Sequence, residues 1–88
     1  MEGKCVIQNT QLRLLYDSGA THSFISIDCM QRLNLETSEL PYQLLVSTPT
    51  GENVKTTLVC LNCFIKIKGH SYLAHLVCLP LRNIDIIL

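Results

Sequence analysis

Eighty-eight residues leave room for one domain, which at this size buries roughly 60% of the surface its unfolded chain exposes. Hydrophobic residues make up 48%, charged residues 16%, and there is no Trp; the chain is too apolar for disorder and too often interrupted by polar residues for a membrane span. Seven basic residues balance seven acidic ones without forming a cluster, which argues against direct contact with nucleic acid.

In chain order, Met1-Glu2-Gly3-Lys4-Cys5 is too short and polar for a signal peptide. The five cysteines are an odd number at irregular spacings. They fit reduced thiols serving as small apolar side chains, and so an intracellular, cytoplasmic protein, better than a disulfide framework. Leu12-Arg13-Leu14-Leu15-Tyr16 is a short apolar strand that stops at Asp17-Ser18-Gly19, where glycine permits a sharp turn. From Ser26 the period changes: Ile27, Met30, Leu33 and Leu35 recur at helical spacing, Ser26 can cap, and Asp28 sits in the first turn.

Beyond Pro41 strand patterns return over 43–47, 54–61, 64–67 and 71–78. Thr48-Pro49-Thr50-Gly51-Glu52-Asn53 reads as one hairpin tip and Lys68-Gly69-His70 as another. Ile84-Asp85-Ile86-Ile87-Leu88 has the pattern of a buried strand. Without repeats or linkers, residues 1–88 are expected to form a single mostly β domain with one short helix and five to seven strands.

The chemically informative stretch is the thirteen-residue run Leu14-Leu15-Tyr16-Asp17-Ser18-Gly19-Ala20-Thr21-His22-Ser23-Phe24-Ile25-Ser26. It resembles the active-site signature of aspartic proteases, an apolar strand entering Asp-(Thr/Ser)-Gly-Ala, and its longer wording is similar to the retropepsin-like protease domain of Ty3/gypsy-type retrotransposon polyproteins. Three later segments resemble the same family in the same order: 47–52 its flap hairpin, 66–70 the hairpin that follows, and 79–88 the segment entering its second motif. In the family that segment continues as Gly-x-Asp-Trp-Leu, so the domain is expected to be incomplete at its C-terminus.

The resemblance implies a closed, mostly antiparallel acid-protease fold. It implies Asp17 as catalytic carboxylate, Ser18, Gly19 and Ala20 as its loop, and Thr48, Pro49, Thr50 and Gly51 as a substrate-covering flap. Peptide hydrolysis by this route needs one carboxylate to take a proton from water and a second, protonated one to polarise the scissile carbonyl. Asp17 is the only Asp here followed by Ser/Thr and Gly, so its partner must come from a second copy, as in the obligate homodimers of the family. Water is then the only co-reactant, with no cofactor or metal. A peptide or polyprotein is the substrate. A second reading keeps the fold without catalysis, as a dimerisation or peptide-binding module or the remnant of a truncated element.

Plainer readings apply to several residues. Asp17-Ser18-Gly19 alone would be an ordinary turn, and Gly51 alone a hairpin glycine. Cys60-Leu61-Asn62-Cys63 has the spacing of a metal-binding pair, but residues three apart on a strand face opposite ways, so no zinc site is expected. His22 has no acid placed to orient it and is read as an outward-facing polar residue. Cys29 and Met30 read as packing residues, and Lys66 and Lys68 as a solvated strand face.

Overall fold

The computed structural model describes residues 2–17, 22–47 and 51–88. Seven strands and one helix follow in the order β1 (Glu2–Ile7), β2 (Thr10–Leu15), β3 (Ser23–Ser26), α1 (Ile27–Arg32), β4 (Ser38–Ser47), β5 (Asn53–Ile67), β6 (His70–Leu79) and β7 (Ile86–Ile87). The spatial order is β1-β2-β7-β3-β6-β5-β4, and a further pairing of β1 with β5, at Val6 and Lys66, closes six of the strands into a ring. The fold is thus the expected closed, mostly β type. Two of its pairings, β2 with β7 and β3 with β6, are parallel, and the other five are antiparallel.

Short turns set two of the antiparallel registers. Gln8 and Asn9 join β1 to β2 with φ of 50° and 63°, and Lys68 and Gly69 join β5 to β6 with φ of 50° and 81°. Two successive left-handed residues are what a two-residue hairpin matched to the strand twist requires, and Asn and Gly tolerate them best. The Lys68-Gly69 turn was legible in the sequence, whereas β1 was not foreseen as a strand.

The helix runs as its cap dictates. Ser26 is extended, buried, and accepts the Cys29 amide at 3.0 Å through its hydroxyl, while Leu33 forms the C-cap. Leu33 and Leu35 therefore lie past the last turn, although both still pack against the core.

Two further expectations are corrected. Residues 54–61 and 64–67 are not separate strands but parts of β5, whose register against β6 slips between Cys60 and Cys63. Asn62 takes a φ of 55° there, and its amide donates to His75 Nδ1 at 3.2 Å. The bulge cancels the strand alternation, so Cys60 and Cys63 both face the same core, contrary to the opposite-face argument. In addition, β4 starts at Ser38 and accommodates Pro41 by an irregularity between Glu39 and Leu44. As the edge strand of the order, β4 can tolerate a residue with no amide to donate.

Strand alternation splits the core between the two faces of the central strands. One cluster holds Leu14, Ile25, Leu76, Cys78 and Ile86 with the other buried cysteines; the second holds Phe24, Val59, Val77, Leu79 and Ile87. Burial on both faces explains why β7 and the end of β6 read as continuous apolar runs.

All five cysteines are free and buried. Burial pushes the thiols of Cys5 and Cys29 up to about 11, helped by the Asp85 charge, and that of Cys78 up to about 12, helped by neighbouring Cys60. The unfolded chain ionises these groups near pH 9.0 while the fold keeps them protonated. Their contribution to stability is therefore complete below that pH and is lost as pH rises through the folded values. Urea denaturation is expected to show a fall in stability between pH 9 and 11 that is shallower in Cys78→Ala; identical slopes in the two proteins would contradict the account.

Candidate active site

Asp17 lies just beyond the end of β2. Along that strand Leu12 and Leu14 turn inward and Gln11 and Arg13 outward, and the chain emerges through Leu15 and Tyr16. The Asp17 amide donates to the Leu88 carbonyl at 2.8 Å, and the Leu88 amide donates to the Leu15 carbonyl at 3.0 Å. The parallel ladder between β2 and β7 is thus continued to Asp17, whose backbone is held although it lies outside the strand. Asp17 itself is partly exposed. Tyr16 lies so close over β1 that a Cβ on Gly3 would come within 3.3 Å of its ring.

The chain returns through His22, which is exposed and meets the Phe24 ring edge-on at 6.3 Å. The outward reading of His22 agrees with this placement.

Between β2 and β3, the strands that this loop connects, lies β7. Ile86 pairs with Leu14 on one side and Ile25 on the other; Ile87 pairs with Leu15 and Phe24. Each crosswise row sends its side chains to one face, so Leu14, Ile86 and Ile25 enter one cluster and Leu15, Ile87 and Phe24 the other. Both ends of the Asp17 loop are therefore anchored on the same two-residue strand.

The hairpin expected to act as a flap begins at the last β4–β5 pair, Ser47 with Asn53, where the Ser47 hydroxyl donates to Asn53 Oδ1 at 2.9 Å. Gly51 is exposed, with a φ of 88° that L side chains rarely adopt. At the hairpin base, buried Val46 and partly buried Val54 join the cluster of Leu15, Phe24 and Ile87. One apolar cluster thus ties the base of the hairpin to the base of the Asp17 loop. Ser18, Gly19 and Ala20 of the expected loop, and Thr48, Pro49 and Thr50 of the expected flap, lie outside the described residues.

Sequence reasoning placed Asp85 within a buried-strand pattern and gave it no role. Its Oδ2 accepts the Arg13 amide at 2.9 Å and its Oδ1 accepts Arg32 Nη2 at 3.3 Å. Its own amide donates to the Arg13 carbonyl at 3.1 Å, and its carbonyl accepts the Ser26 amide at 2.8 Å. The missed signal was the residue type itself: a carboxylate in a buried apolar run must find donors or stay uncharged. Arg32 also pairs with Asp28 at 3.2 Å, but that i,i+4 contact is largely exposed and contributes little.

Among the described residues no three His, Cys, Asp or Glu side chains cluster so as to hold a metal ion. A pocket of about 420 Å³, walled by Ile7, Leu35, Cys60, Cys63 and Phe64, opens at the β5 bulge. It includes neither Asp17 nor the β4–β5 hairpin tip.

A short strand captured between the two arms of an Asp-Ser-Gly loop, inside a small closed β fold, defines a retropepsin-like domain. The family model described as retroviral aspartyl protease matches residues 1–88, and the chain belongs to that family. No curated protein is similar enough in sequence to match it.

Solved structures with a similar fold include the EIAV protease complexed with the inhibitor HBY-793, at 23% identity and a TM-score of 0.74, covering 100% of this chain and 79% of that one. The retroviral protease-like domain of Ddi1 from Leishmania major matches at 14% identity and a TM-score of 0.69, covering 100% of this chain and 70% of that one. The simian foamy virus (mac) protease matches at 20% identity and a TM-score of 0.62, with 100% and 86% covered. At these identities the likeness is one of fold.

Ile87, 1% exposed, is the side chain that the loop base and hairpin base share. Ile87→Ala is expected to cost about 3 kcal/mol, the range for large-to-small changes in a packed core, measured by urea denaturation. Phe64→Ala, at a site 69% exposed, should cost under about 0.5 kcal/mol. Equal costs would contradict the assigned core.

Proposed function

We propose that this chain is an aspartic endopeptidase of the Ty3/gypsy retrotransposon type, working as a homodimer on peptide bonds of a polyprotein. Asp17 supplies one catalytic carboxylate per chain. The observation that carries this reading is the support of Asp17: a partly exposed residue just past a strand end, its amide held by the carbonyl of Leu88. Fixing the backbone of a residue that stays partly exposed is what a loop needs in order to meet its copy across a two-fold axis.

In that dimer two Asp17 carboxyls share one proton, because like charges about 3 Å apart do not both ionise. The ionised carboxylate takes a proton from a water molecule as the water oxygen attacks the scissile carbonyl carbon. The protonated partner gives its proton to the carbonyl oxygen. Collapse of the tetrahedral intermediate breaks the C–N bond, the carboxyl proton taken from water passes to the departing nitrogen, and one hydroxyl of the intermediate returns its proton to the dyad as the product carboxyl forms.

Ser18, Gly19 and Ala20 form the loop that carries the dyad, with Ser18 bonding across the axis and Gly19 allowing close backbone approach. Thr48, Pro49, Thr50 and Gly51 form the flap that closes over an extended peptide, whose backbone pairs with exposed strand edges. The cleft of such an enzyme is completed by the second chain. The buried, protonated thiols suit a reducing compartment, the cytoplasm.

The purified protein is expected to cleave an unfolded protein substrate at mildly acidic pH, to sediment as a dimer when active, and to lose activity by about a thousandfold or more on Asp17→Asn. Cleavage that survives this substitution, or comes from a strict monomer, would overturn the assignment. An inactive wild-type dimer would favour the non-catalytic module.

A further inference from the structure

The Asp85 side chain is 79% shielded from solvent by the elements around it, its relative exposure being 21%. Its four polar links run to three different elements: amide and carboxylate to Arg13 on β2, carboxylate to Arg32 on α1, and carbonyl to Ser26 at the end of β3. Arg13 adds a fifth link nearby, its Nη1 donating to the Asn83 carbonyl at 3.2 Å.

These contacts fall immediately before Ile86, where β7 enters the gap between β2 and β3. With only two paired residues, β7 has few ladder bonds of its own to define its position. A slip by one residue would exchange Ile86 and Ile87 between the two core clusters and carry Leu88 away from Asp17.

We propose that Asp85 is a positioning residue for the Asp17 loop: it locks the register of β7 between β2 and β3, and β7 passes that lock to the Asp17 backbone through Leu88. The chain of contact is continuous. Asp85 grips Arg13 on β2, Ile86 and Ile87 pair with Leu14 and Leu15 on the same strand, and Leu88 receives the Asp17 amide. Asp85 touches no reacting group; it sets where Leu88 stands, and Leu88 sets where the backbone of Asp17 stands.

A charged acceptor suits this task, since hydrogen bonds to an ionised carboxylate are the stronger kind and the second oxygen ties the lock to the helix through Arg32. The consequence for turnover rests on the protease function proposed above, whereas the consequence for the Asp17 amide does not.

The test is amide hydrogen exchange by NMR on the purified protein, compared with Asp85→Asn and Arg32→Met. Asp85→Asn keeps one acceptor oxygen for Arg13 but loses the charge, and Arg32→Met removes the link of Asp85 to the helix together with the exposed Asp28 pair. Exchange at Asp17 and Leu88 is expected to accelerate by about tenfold in Asp85→Asn and by about threefold in Arg32→Met, with Ile65 and Leu76 changing by less than about twofold. Unchanged exchange at Asp17 in both variants would overturn the proposal, as would uniform acceleration at all four amides. Should Asp85→Asn not fold, Arg32→Met alone decides between these outcomes.

Where the wild type cleaves peptide, Asp85→Asn should lower kcat by about tenfold and leave KM within about twofold, since substrate is not touched. A change confined to KM would overturn the positioning role. A wild type that does not cleave would instead refute the protease reading while the exchange result still stands on its own.

Discussion

The fold depends on two residues occupying a slot between two strands that the chain has already laid down. Ile86 and Ile87 must pair parallel with Leu14 and Leu15 and antiparallel with Ile25 and Phe24 at once. That is possible only if the chain leaves β2 through a loop that does not close directly onto β3. The Asp17 loop is that excursion, so the geometry that opens the slot also lifts an aspartate out of regular structure while its amide stays bonded to Leu88. A β-hairpin at this point would have placed β2 beside β3 and paired the backbone on either side of Asp17.

Inserting a strand with no solvent-facing side requires apolar residues on both of its faces. The crosswise rows Leu14, Ile86, Ile25 and Leu15, Ile87, Phe24 satisfy this, and they divide the core into two clusters. One contains the five thiols, with the helix packed against it; the other runs from beneath the Asp17 loop to the base of the β4–β5 hairpin. Packing of apolar side chains thus joins the base of the Asp17 loop to the base of the β4–β5 hairpin. The polar groups lie at the slot's entrance instead, where Asp85 satisfies amides from β2 and β3.

Much of this was legible in the residues, for identifiable reasons. Ser26 followed by apolar positions at helical spacing announced the helix because capping is local chemistry, and Lys68-Gly69 announced a hairpin because glycine accepts a left-handed turn. The Asp17 segment stood out because its wording extends well beyond a three-residue turn. What stayed hidden depended on partners distant in the chain. β1 gave no sharp alternation and is recognised only by its pairing with β2. The bulge at Asn62 depends on His75 thirteen residues on, and it reverses the face on which Cys63 would lie. Asp85 reads as an anomaly until Arg13 and Arg32, seventy-two and fifty-three residues away, are brought to it.

The central claim is that one carboxylate per chain is half of a catalytic pair. Its most direct test is the binding stoichiometry of a statine-type transition-state mimic by titration calorimetry, because such a molecule replaces the attacked carbonyl and must be gripped by both carboxyls at once. The account predicts one mimic bound per two chains, with binding abolished by Asp17→Asn. A ratio of one mimic per chain, or binding indifferent to that substitution, would contradict it.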